Sequence, residues 1–132
     1  MSLTVPEEMV EQAERGPIDK AAFIDVIKNS LPRAWSVVDG LLQRKLSGEP
    51  GVVSFGQGTM DAETRGELLR MMAGTAIRTS LEKHFGVKFA FQNCHNVALV
   101  KAGEENAWEF QEFTSIEAQV KNQAPKPEFQ HC

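Results

Sequence analysis

Two adjacent pairs, Cys94-His95 and His131-Cys132, are the residues whose types could do chemistry together. Two thiolates and two imidazoles form a donor set for a tetrahedral soft metal, zinc foremost, if the chain end folds back to supply half the ligands. Directly adjacent Cys-His pairs lack the short loop that turns both members of a ligand pair inward, and ordering a terminal pair costs entropy. The metal set Cys94, His95, His131 and Cys132 is therefore the alternative expectation, with zinc as its only implied cofactor. A thiol nucleophile at Cys94 with His95 or His84 as base is weaker still. Neighbours along a strand point to opposite faces, and no acidic residue is placed to orient the histidine. No catalytic residue is assigned.

Gly56-Gln57-Gly58 falls between an expected strand and a helix start, where backbone N–H groups can hold a phosphate. Its spacing fits neither the dinucleotide fingerprint nor a Walker loop, and Asp61 and Glu63 would repel an anion. A tight connector is expected instead. Glu7-Glu8 and Glu104-Glu105 pair carboxylates on a terminal helix and a turn, where consecutive acids face water. Trp35 and Trp108 are expected in the core or an interface rather than as a stacking platform.

Positioning falls to the stretch from Asp61 to Lys101. Asp61 can cap a helix and Glu63 adds negative charge at its positive end. Leu69, Met72, Ala73, Ala76, Ile77 and Ser80 then recur at three- and four-residue steps, with Glu67, Arg70, Arg78 and Glu82 mostly on the other side. One long central helix running to Phe85-Gly86 is predicted. Its small residues would admit a close neighbour, and His84 would pack beside the core. Val87, Phe89 and Phe91 alternate with Lys88 and Ala90, and Val97 and Leu99 repeat the period of two. A turn at Asn93–Asn96 sets Phe91 opposite Val97 and Phe89 opposite Leu99, which predicts a hairpin with one apolar face.

Upstream, Val5-Pro6-Glu7-Glu8 suits the start of a short helix reaching about Ala13. Asp19 can cap a helix carrying Phe23, Val26, Ile27 and Leu31. Pro32 should break that helix, leaving Ser30 to cap the next one, with Trp35, Val38, Leu41, Leu42 and Leu46 along its apolar face up to Ser47-Gly48. Val52–Phe55 reads as a short strand. Trp108 to about Phe113 alternates as a further strand, with Thr114 and Glu117 forming a capping box for a closing helix. A continuous helix from Glu104 is the competing reading.

The sum is an α+β fold: N-terminal helices, then a small, mainly antiparallel sheet of about four strands packed against the long central helix. Residues 1–16 are expected as an N-terminal segment, 17–122 as a single domain, and 123–132 as a flexible C-terminal tail. The 132 residues, 42% hydrophobic and 24% charged, match one ordinary globular domain. A net charge of −4, with only small interrupted basic clusters at Arg33, Arg44 and Lys45, argues against nonspecific nucleic-acid binding. No segment has the length of a membrane span or the order of a secretion signal, so a cytoplasmic place is expected. The functional expectation is a non-enzymatic interaction or regulatory module acting as a homodimer, through apolar helices or an exposed strand edge.

Overall fold

A computed structural model describes residues 3–55, 60–92 and 96–121. Three helices come first: α1 (Glu7–Arg15), α2 (Lys20–Ser30) and α3 (Pro32–Leu46). The two-residue strand β1 (Val53–Ser54) leads into α4 (Ala62–Ala73) and α5 (Thr75–Phe85). Strands β2 (Val87–Gln92) and β3 (Asn96–Lys101) follow, then the short helices α6 (Trp108–Phe113) and α7 (Ile116–Lys121). The class is α+β, as the sequence predicts. The described residues form three strands rather than about four.

The sheet runs in the order β1-β3-β2, antiparallel throughout. Phe89 stands opposite Leu99 and Phe91 opposite Val97, the register that the alternating pattern requires. Val87, Phe89, Val97 and Leu99 join Val53 on the face that packs against the helices, where Ile27, Leu31, Val38, Leu68, Met71 and Leu81 fill the main core. Each such side chain stabilises the fold by about 1.5–3 kcal/mol when fully buried. The opposite face is also covered. Ala90 and Val100 meet Phe110 of α6, with Val52 and Phe113 at the margin. That cover explains why β3 is buried on both sides, although only one of its faces alternates visibly in the sequence.

Several expectations are corrected. The segment from Trp108 to Phe113 is helical, not a strand: Phe110 and Phe113, three apart, lie where a helix carries both toward the sheet. The helix after it is capped by Ser115, whose Oγ accepts the Ala118 N–H at 3.0 Å, rather than by a Thr114–Glu117 box. The long central helix is two helices broken at Gly74, whose extended backbone (φ −78°, ψ 117°) ends α4 and starts α5. Arg78 reaches back across the break, its guanidinium donating to the Met72 carbonyl at 2.7 Å.

The break rotates the buried faces. Leu68, Met71 and Met72 point inward from α4, and Ile77 and Leu81 from α5, while Leu69, Ala73 and Ala76 face water. Glu67 and Glu82, expected on the solvent side, are both buried. Gly86 closes α5 as the sequence predicts. It adopts the left-handed conformation (φ 68°, ψ 39°), and its N–H bonds the Glu82 carbonyl.

Asp19 caps α2 through the Ala21 and Ala22 N–H groups, and Asp61 caps α4 through Thr64 at 2.7 Å. The break at Pro32 is present, but Ser30 does not cap α3; its hydroxyl accepts the Thr4 N–H instead. The N-terminus of α3 is completed from α4. Glu67 Oε1 accepts the Arg33 N–H at 2.8 Å and the Ala34 N–H at 3.3 Å. The Trp35 N–H reaches the Leu31 carbonyl and Pro32 has none to place, so every donor of the first turn is satisfied.

Candidate functional site

Cys94, His95, His131 and Cys132, and the Gly56-Gln57-Gly58 connector, lie outside the described residues. Among the described residues, no three His, Cys, Asp or Glu side chains converge on a point that could hold a metal. His84 is exposed rather than packed beside the core, its ring edge-on to Phe85 with centroids 4.8 Å apart. Trp35 is half-buried, stacked on Phe85 at 5.6 Å, with the Lys28 ammonium 4.6 Å from its ring centroid. That stack pins α2, α3 and α5 together. Trp108, by contrast, is 69% exposed.

Glu7 and Glu8 are exposed in the first turn of α1, and Glu105 accepts the Gly103 N–H within its own turn. Both carboxylate pairs are in solvated places. Among the described residues, no helix is long and apolar enough to cross a membrane.

On each outer edge of the sheet one backbone group is bonded to a charged side chain. On the β2 side, the Phe89 N–H points away from β3 and donates to Glu82 Oε2 at 2.9 Å. On the β1 side, the Ser54 carbonyl accepts from the Arg44 guanidinium at 2.9 Å. Arg44 is itself held by a two-pronged bond to Glu49 at 2.8 and 2.7 Å, which raises the guanidinium pKa and lowers that of the carboxylate. An unpaired strand edge is a template for another strand, and a charge fixed on it removes that option. The open-edge version of the interaction expectation thus loses its physical basis at these two positions.

What remains open is on the helices. A groove of about 470 Å³ runs between α2 and α5. Phe23, Ile24 and Ala76 contribute its apolar wall, Lys20 and Lys83 its cationic rim with His84 beside them, and no acidic residue is among those lining it. The small side chains Ala76 and Ser80 keep this groove open, where the sequence suggested a close-packed neighbour. The Thr79 and Ser80 hydroxyls donate to the Thr75 and Ala76 carbonyls, so their protons are committed to α5.

A second surface lies on the C-terminal helices. Trp108, Ile116 and Val120 are 69%, 79% and 66% exposed, while Phe110 of the same unit is turned to the sheet. Glu109, Glu112 and Glu117, on the same two helices, line a shallow depression beside Phe113 and Gln92. The buried Gln92 amide donates to the Phe113 carbonyl at 2.7 Å, fastening the end of α6 to β2.

Neither surface was readable as a site in the sequence. The groove joins residues of α2 to residues of α5 more than fifty positions later. The C-terminal face shows itself only once Phe110 is known to point the other way.

No curated protein and no solved structure matches the chain. One family model, described as NucS shadow ORF, matches residues 1–132, and the chain belongs to that family.

Proposed function

We propose that the protein is a non-enzymatic interaction module that associates with a second copy of itself through its helical surfaces. One observation carries this reading: three large apolar side chains, Trp108, Ile116 and Val120, stand largely in water within thirteen residues of chain. Single exposed apolar residues are ordinary, but a concentration of them is a feature of binding surfaces, and tryptophan is the residue most enriched where binding energy is concentrated. The charges bound to one backbone group on each sheet edge favour side-chain docking over strand addition at those positions. The family description names no activity.

Sedimentation-velocity runs across about a hundredfold range of concentration test the proposal, because mass action must shift the population of an associating chain. A weight-average mass that rises with concentration is expected. A single monomeric species at every concentration rejects it.

A further inference from the structure

The two helical surfaces complement each other in charge. The groove between α2 and α5 offers an apolar wall with Lys20, Lys83 and His84 at its rim. The α6–α7 unit exposes Trp108, Ile116 and Val120, and carries Glu109, Glu112 and Glu117 on the same two helices. We infer that the α6–α7 face of one copy docks into the α2/α5 groove of another, in a head-to-tail contact. This inference rests on the self-association proposed above and specifies its geometry.

Like-on-like pairing works against the alternatives. Placing two α6–α7 faces together sets three carboxylates against three, and placing two grooves together sets their lysines against each other. Like charges juxtaposed in an interface cost several kcal/mol. Only the groove-to-face arrangement pairs opposite signs while covering the apolar side chains of both. Asp19 caps α2 beside Lys20 and keeps its charge, but it is not among the groove-lining residues, whose only formal charges are those of Lys20 and Lys83.

The layering of the fold sets the symmetry. Helix α5 packs on the sheet face that carries Phe89 and Leu99, and α6 packs on the opposite face with Ala90 and Val100. A copy docked by its α6–α7 face therefore leaves its own groove free on its other side. Such contacts are heterologous: each added copy presents a new groove, so assembly continues past the dimer unless a rotation closes a ring.

Two variants separate the partners of the contact. Lys20→Glu with Lys83→Glu spoils the groove, and Trp108→Glu with Val120→Glu spoils the face; none of the four side chains belongs to the buried core. Trp108→Ser with Val120→Ser serves as a milder face variant should the double glutamate unfold, as judged by circular dichroism and melting. Each variant alone is expected to lose self-association by roughly a hundredfold or more. An equimolar mixture of the two is expected to form a one-to-one dimer and to stop there, because one intact groove meets one intact face and no further pair is left. If wild-type protein associates but the mixture stays monomeric, or if either variant alone associates like wild type, the head-to-tail contact is wrong while the interaction reading stands. If wild-type protein itself never associates, both fall together.

Discussion

Removing Glu67 tests whether α3 truly depends on α4 for its cap. Its side chain is only 4% exposed, and Oε1 takes two backbone N–H groups of α3, those of Arg33 and Ala34. In Glu67→Ala both lose their acceptor. A buried donor left unsatisfied costs about 1–3 kcal/mol. Ala34 is fully buried and Arg33 lies near the surface, so the two are expected at opposite ends of that range, about 4 kcal/mol together. The Arg33 guanidinium, 3.3 Å from Glu67 and 2.6 Å from Glu63, adds little, because its side chain is 51% exposed and a solvated ion pair contributes about 0–1 kcal/mol. Glu67→Gln keeps a neutral acceptor and should lose roughly half as much, since bonds to an ionised acceptor are about twice as strong. Urea denaturation with an unchanged m-value measures the differences. The argument is refuted if Glu67→Ala costs less than about 0.5 kcal/mol, below the range for an orphaned donor. It is equally refuted if Arg33→Ala, which keeps the backbone N–H groups bonded, costs as much as Glu67→Ala.

Other outcomes follow from single features. Gly86→Ala forces a side chain into the left-handed region and should destabilise by about 1–2 kcal/mol in thermal melts, although nothing lies within 4 Å of the added methyl. Gly74→Ser should stabilise by a few tenths of a kcal/mol, because serine is a better N-cap than glycine and the nearest obstacle to its Cβ is the flexible end of Arg70 at 3.3 Å. Asp61 is held below the ordinary aspartate range by hydrogen bonds from the Thr64 side chain and backbone N–H. A depressed carboxylate contributes stability above its unfolded pKa that is lost as pH falls through the folded one, so Asp61→Asn should flatten the acid limb of a stability-against-pH curve below about pH 4. For zinc, elemental analysis of untagged protein decides: near one ion per chain supports the Cys94, His95, His131, Cys132 set, and none rejects it.

Where one local period fixed the answer, the sequence was enough. The hairpin register follows from Phe89, Phe91, Val97 and Leu99, because slipping by one residue would turn a whole apolar row to water. The Asp19 and Asp61 caps were equally legible, since a cap acts on the next three residues. Trp108 to Phe113 was not. Six residues are too few to separate a period of two from one of three to four, and the Phe110–Phe113 spacing satisfied the helix. Gly74 hid inside a continuous helical pattern, and missing it moved the buried stripe from Leu68 and Met71 to Leu69 and Ala73.

Glu67 and Glu82 show a deeper limit. Charge normally marks a solvated face, and what brought these two inside are backbone donors 34 and 7 residues away. The candidate site is the same kind of object. Lys20 and Lys83, or Trp108 and Val120, mean nothing locally, and only their joint placement by the fold gives them a role. The four residues with the most evident chemistry in the sequence, Cys94, His95, His131 and Cys132, lie outside the described residues.

The stoppered flanks of the ribbon have a consequence for how this molecule tolerates crowding. With a guanidinium bolted to one margin and a carboxylate to the other, fibril-like stacking of backbones finds no starting rung at either place. At those two groups, concentrated solutions are expected to favour reversible contacts over solids that only denaturant redissolves. A single exchange such as Glu82→Leu, which frees the Phe89 amide, would be the shortest mutational path from the first behaviour to the second.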